Sequence, residues 1–239
     1  MRWLVLSIAA IGVLVIGRGI VGRSRSGPKS NPAPAYVVLP LRTVCAQNRV
    51  PYPPQRILLR AFKQERELEL WGADGSGIMH LLRLYPIAAA SGGPGPKRRE
   101  GDCQVPEGIY RIDQFNPKSR FHLSLRLNYP NQADRILGDR TSPGGDIFIH
   151  GNQVSIGCLA MTDKKIDEIY ALASSARRPI PVHMFPCRME GASYLDLRRR
   201  YPGFASFWNQ LQPIYSAFEK RRAVPKVEIT RLGEYKVAA

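Results

Sequence analysis

Between Arg56 and Phe185 the chain is cut into short runs rich in β-branched and aromatic residues: RILLRAF, ELELW, MHLLRLYPIAAA, GIYRIDQF, RFHLSLRLNY, DIFIH and PIPVHMF, separated by Gly, Pro, Asp and Asn. Runs this short, bounded by turn formers, specify strands rather than helices. Two stretches change period. TDKKIDEIYALASSARR carries Ile166, Ile169, Tyr170 and Ala173 at helical spacing, which predicts a helix over about 162–177, with Thr162 as N-cap and Asp163 in its positive first turn. A second helix is predicted over about 203–222, with Phe204, Phe207, Trp208, Leu211, Ile214, Tyr215 and Phe218 on one broad face and a kink at Pro213. Strands followed by helix, strand and helix make the fold class α+β with a β-rich core.

The rest of the chain divides by composition. Residues 1–26 begin with one Arg and an uncharged apolar run from Trp3 to Gly17, the pattern of a signal peptide or an N-terminal membrane anchor. Arg18, Arg23, Arg25 and Lys29 follow the run and oppose export by the positive-inside tendency. Export to the periplasm or the outer face of the cytoplasmic membrane is the expectation, with membrane contact through this segment alone. Residues 27–54 read as a Pro-rich linker, 55–190 as the main domain, and 191–239 as a helical extension packed on it.

Charge narrows the partners. Thirty-five Lys and Arg against 19 Asp and Glu leave a net charge of +16, which suits nucleic acid, an anionic membrane face or an acidic polymer. No zinc-finger spacing or RNP-type aromatic strand supports a nucleic-acid partner. On charge alone an anionic membrane face, an acidic polymer such as a cell-wall glycopeptide, and a merely solvated basic surface stay open.

The stretch IFIHGNQVSIGCLAMTD, residues 147–163, holds the chemistry. His150 falls at the end of a strand, a Gly151-Asn152 turn follows, and Cys158 sits in the loop that leads to the helix start. A cysteine is nucleophilic as its thiolate and needs a proton acceptor beside it. His150 is the candidate base, and the Gly151 carbonyl is the candidate for holding its imidazole in one tautomer. Gly157 removes a side chain beside the sulfur, and the amides of Gly157, Cys158 and Leu159 are candidate donors to an oxyanion. Such a pair, with the nearby helix start, predicts a thiol below the free value of about 8.5. A zinc site from His150, Cys158, His183 and Cys187 fits no common ligand spacing, and no metal or cofactor is expected. His80 and His122 read as structural or surface residues. Among the other cysteines, Cys45, Cys103 and Cys187, one disulfide such as Cys103 with Cys187 is compatible with export. The absence of Cys-x-x-Cys speaks against a thiol–disulfide oxidoreductase.

The wording of this stretch resembles the L,D-transpeptidases, the YkuD-type catalytic domain of bacterial cell-wall enzymes. The resemblance rests on His-Gly at a strand end followed by Ser-x-Gly-Cys before a helix, here HG and SIGC. The upstream PEGIY, NYPNQADR and PGGDIFIHG suit the same domain, most closely its YafK-like branch. It spans roughly residues 55–188. It implies a β-rich fold, Cys158 as nucleophile, His150 as general base and acid, and peptidoglycan stem peptides as substrate, with a wall-linked lipoprotein as a further partner. Ala160 stands where most of the family has an arginine, and the loop from His to Cys is shorter. Substrate binding would then fall to other residues: Ser155 in the motif, and Lys97, Arg98 and Arg99 by charge. Transfer to an amine, hydrolysis with release of a peptide or wall-linked protein, and non-catalytic wall binding are the three functional readings.

Overall fold

The computed structural model describes residues 39–238. The N-terminal apolar run and the first part of the expected linker lie outside them. No described helix is long and apolar enough to cross a membrane.

Eight strands form one mixed sheet. They are β1 (Ile57–Phe62), β2 (Glu67–Ala73), β3 (Met79–Pro86), β4 (Gly108–Ser119), β5 (His122–Leu127), β6 (Phe148–His150), β7 (Leu159–Ala160) and β8 (Ile180–Phe185), in the order β3-β2-β1-β8-β4-β5-β6-β7. Two neighbour pairs are parallel, β1 with β8 and β6 with β7, and the rest are antiparallel. Each run expected to be a strand is one. The sequence pattern missed β7, which is too short to show alternation.

Both faces of the sheet are covered, so alternation along each strand sorts residues between two cores rather than between core and water. Leu59 and Ala61 of β1 and Ile180, Val182 and Met184 of β8 pack on one face with Ile166, Ile169, Leu172 and Ala173 of α3 (Asp163–Ser175). Phe62 of β1 and Phe185 of β8 face the other way. They pack with Tyr194 and Leu197 of α4 (Gly191–Arg200) and Trp208, Leu211 and Tyr215 of α5 (Ala205–Arg221). The amphipathic stripe read from the sequence is the buried side of α5, which runs through Pro213 as one element.

Three expectations are corrected. The linker ends earlier than residue 55, because Leu41–Gln47 form α1, and Leu41 and Cys45, one turn apart, are buried in the first core. The C-terminal extension is not helical throughout: β9 (Val227–Ile229) and β10 (Tyr235–Val237) close it as a hairpin, and Tyr235 is buried in the second core. Thr162 occupies the N-cap position of α3 with φ +76°, but its side chain makes no capping bond. All four cysteines are free, with Cys45 and Cys187 buried and Cys103 exposed.

Arg60 shows how the second core carries charge. Its side chain is fully buried, ion-paired to Glu69 at 3.3 Å and Glu219 at 2.8 Å, and its guanidinium lies 4.3 Å from the Phe218 ring centroid and 5.0 Å from that of Tyr215. Buried charge of this kind persists where partners compensate the lost hydration.

Helix α2 (Gln132–Leu137) begins in a reciprocal cap: Asn131 accepts from the Asp134 amide, and Asp134 accepts from the Asn131 amide and from the Tyr110 hydroxyl. Burial raises the Asp134 carboxyl to about 6 despite these bonds. The folded state thus holds this proton more tightly than the unfolded chain, where an Asp titrates near 3.9. The corresponding stability is complete below about pH 4 and is lost as pH rises through about 6. Wild-type protein should gain roughly 1–3 kcal/mol over Asp134→Asn between neutral pH and about pH 4 in denaturant unfolding. A difference independent of pH would contradict the assignment.

Candidate active site

The parallel pairing of β6 with β7 places the site. Its register sets Ile149 opposite Leu159 and His150 opposite Ala160, and Ile149 and Leu159 point into the first core. Alternation then puts Cys158, opposite Phe148, on the same face as His150. Two residues along β6 and one strand across correspond to roughly 8 Å between their α-carbons.

The connection that returns the chain is residues 151–158, and it is pinned at both ends. The Met161 amide donates to the His150 carbonyl at 2.8 Å and the Thr162 amide to the Asn152 carbonyl at 2.9 Å. Asn152, at φ +63°, donates its amide to the Asp163 carboxylate at 2.7 Å. The first acidic residue of α3 therefore braces the turn after His150. A side chain at Gly151 would come within 2.6 Å of both the Phe121 carbonyl and the Asp163 carboxylate, which is why glycine follows the histidine.

His150 is almost fully buried, with the Phe121 ring tilted over it at 4.7 Å between centroids. Its Nδ1 lies 2.6 Å from the Gly151 carbonyl, the orienting group expected from sequence. A carbonyl can only accept, so Nδ1 carries the proton and Nε2 is left with its lone pair. Burial lowers the imidazole's proton affinity, against a smaller opposing effect of the Gly151 bond. The resting ring is neutral.

Cys158 is half-buried. Its Sγ accepts from the Phe148 amide at 3.4 Å and donates to the Asp146 carbonyl at 3.6 Å, and no hydrogen bond joins it to His150. Burial pushes the thiol up, and the Asp146 charge adds to this. The Phe148 amide and the Lys97 charge act the other way without overcoming it. The expectation of a thiol below about 8.5 is thus corrected: dehydration outweighs the positive neighbours.

The expected oxyanion donors are also engaged. Ser155 Oγ accepts from the Cys158 amide at 2.9 Å and donates to the Cys158 carbonyl at 2.6 Å, locking the turn before the sulfur. The Gly157 amide, at φ +92°, donates to Ser91 Oγ, which itself donates to the Cys103 carbonyl at 2.8 Å. Leu159 is buried in β7. Ser91 belongs to a strap over residues 88–107, tied to β7 by Ala88 and Ala89 through the Ala160 backbone. Fully buried Glu107 anchors the strap by accepting from the Gly95 amide and from Trp208 Nε1, and by pairing with Lys63 at 3.1 Å.

The strap also carries the three basic candidates, which the structure separates. Lys97 is buried, its ammonium held by Asp102 and the Arg99 carbonyl, both at 2.7 Å. The Arg98 guanidinium lies over Phe207 at 5.0 Å, and only Arg99 is exposed. His183 and Cys187 are buried on β8 and just beyond it, with β4 and β5 lying between β8 and β6, so they do not join His150 and Cys158. Ser91, Asp146 and the Phe148 amide were not singled out from sequence, and Asp163 was read there only as a helix-start residue.

A sheet bearing a histidine and a cysteine on one face of a tight parallel pair defines a class, and residues 59–183 match it: the chain belongs to the YkuD family, the L,D-transpeptidase catalytic domain. Among individual proteins, it is 38% identical over 188 residues, 76% of this chain and 74% of the relative, to YafK of Escherichia coli (strain K12), whose designation as an L,D-transpeptidase is provisional. Solved structures similar to it include the helical cell shape determining protein Pgp2 of Campylobacter jejuni (17% identity, TM-score 0.48, covering 73% of each chain). L,D-transpeptidase 1 of Mycobacterium tuberculosis is another (13% identity, TM-score 0.34, covering 54% of this chain and 62% of that one).

The raised thiol has a direct consequence. Iodoacetamide should modify Cys158 of the free protein more slowly at neutral pH than it modifies N-acetylcysteine, with a rate that climbs into the alkaline range, as followed by peptide mass mapping. Faster modification than the free thiol at mildly acidic pH would contradict this state of the sulfur.

Proposed function

We propose that the protein is an exported cysteine acyltransferase acting on peptidoglycan stem peptides, with Cys158 as nucleophile and His150 as general base and acid. The observation that carries this reading is the Nδ1–Gly151 carbonyl bond, which leaves Nε2 unprotonated on the face that Cys158 shares. Family membership supplies the substrate class, since YkuD domains act on peptidoglycan peptides.

The chemistry proceeds from a neutral pair. When a stem-peptide carbonyl docks, Sγ leaves the Asp146 carbonyl and attacks, while its proton passes to Nε2. The tetrahedral intermediate collapses as His150 returns that proton to the departing amine, leaving a thioester on Cys158. An incoming amine attacks the thioester, loses a proton through His150, and regenerates the thiol. Because burial disfavours a standing thiolate–imidazolium pair, deprotonation is coupled to substrate binding. The Gly157 and Cys158 amides reach the oxyanion only when the Ser91 and Ser155 hydroxyls give way, so binding also reorganises this loop. Val154 and Ile156 stand exposed on it and offer apolar contact to the arriving peptide.

A hydrolase of the same fold, with water as acceptor and a peptide or wall-linked lipoprotein released, shares every step up to the thioester. A purely wall-binding protein is favoured only by the net charge of +16. Purified muropeptides, with and without added amine acceptor, should produce a thioester adduct on Cys158 by intact mass. Cross-linked product marks a transferase and cleavage alone a hydrolase. His150→Ala should slow turnover by about 10²–10⁴, and Cys158→Ala should abolish the adduct. An adduct or turnover that survives Cys158→Ala sinks the enzyme reading. Export rests on the apolar run Trp3–Gly17 and the substrate's location. A C-terminal reporter active only outside the cytoplasm should be active, and a silent one would overturn that part.

A further inference from the structure

A cleft of about 1050 Å³ contains neither His150 nor Cys158 nor any residue of the loop between them. It opens where the second core stops short of covering the sheet, between β4, β8 and the β9–β10 hairpin. Five arginines line it, Arg56, Arg111, Arg126, Arg135 and Arg177, against a single carboxylate, Asp113. They arrive from five places in the chain: just before β1, β4, β5, α2 and the link from α3 to β8.

Other exposed arginines, such as Arg140 and Arg231, make no ion pair, whereas outside the cleft Arg60, Arg83, Arg188, Arg199, Arg200 and Arg222 are paired. In the cleft only Arg126 is, through both carboxylate oxygens of Asp113 at 3.1 and 3.3 Å. Arg56, Arg111, Arg135 and Arg177 have no ion-pair partner among the described residues. Five guanidiniums on one concave wall raise the local positive potential, which favours an anion shared between them. The floor adds a second unfilled group. His183 lines the cleft, is 1% exposed, and its Nδ1 has no hydrogen-bond partner. Buried polar atoms left so are uncommon and call for a partner.

We infer that this cleft binds an extended acidic peptide, with guanidinium forks from its walls taking carboxylates spaced along the ligand. Its volume exceeds that needed for one small anion. The arginines come from five separate segments of the chain, which suits carboxylates spaced along a ligand. Pro130, Pro179, Pro181 and Pro225 between them give rigid apolar surface for the peptide's backbone and side chains. The site is independent of the Cys158 chemistry.

The test uses the full chain and a fluorescein-labelled tetraglutamate peptide, followed by fluorescence anisotropy at low salt. Arg111→Glu with Arg177→Glu should weaken binding at least tenfold. Arg140→Glu with Arg199→Glu changes net charge equally at exposed positions outside the cleft and should weaken it less than twofold. All four side chains are exposed, and circular dichroism verifies that both variants fold. Equal losses in the two variants, or no measurable binding by wild type, would overturn the inference. Inorganic pyrophosphate that binds more tightly than the peptide would overturn the acidic-peptide assignment in favour of a phosphate site.

Discussion

The site depends on one tight connection: two parallel neighbouring strands, β6 and β7, joined by only the eight residues 151–158. Parallel neighbours ordinarily need a crossover of a dozen residues or more, usually a helix. Here a loop doubles back instead, and each unusual feature of its sequence follows from that. Gly151 permits close approach to the Phe121 carbonyl, Asn152 and Gly157 take positive φ, and Asp163 and Ser155 supply the bonds that a regular element would have made internally. The reward is placement. The alternation that buries Ile149 and Leu159 turns His150 and Cys158 to one face.

Around this connection the second core acts as a foundation. Glu107, buried beside Trp208 and Lys63, fixes the strap from which Ser91 reaches the Gly157 amide. The packing of α5 is thereby linked to the geometry beside the sulfur through fully buried Trp208 and Glu107 and half-buried Ser91. The same face of the sheet, where the hairpin and α5 leave it open, forms the arginine-lined cleft. One sheet thus carries the half-buried candidate site at its β6–β7 edge and a cationic cleft near its middle.

Much of this was legible in the sequence, for identifiable reasons. Strands bounded by Gly, Pro and Asn were visible because their period and punctuation are local, and the pairing of His150 with the Gly151 carbonyl followed from the absence of a nearby acid. What escaped was decided by tertiary contacts. The two-residue β7 exists only because β6 lies beside it. Lys97 reads as a surface cation yet is buried against Asp102. The thiol was expected low on the strength of a neighbouring base, whereas burial, which residue types cannot report, sets its direction. Arg56, Arg111 and Arg177 lie far apart in the chain, so no charge cluster marks the cleft.

The central claim is that the resting pair is neutral, with the proton of His150 on Nδ1 and the Nε2 lone pair available. Two-bond ¹⁵N–¹H correlation spectra of the imidazole, assigned with His150→Gln, read this directly. In the free protein near neutral pH the account predicts a protonated Nδ1 and an unprotonated Nε2. A ring protonated on both nitrogens, as in a thiolate–imidazolium pair, or one carrying its proton on Nε2, would contradict it.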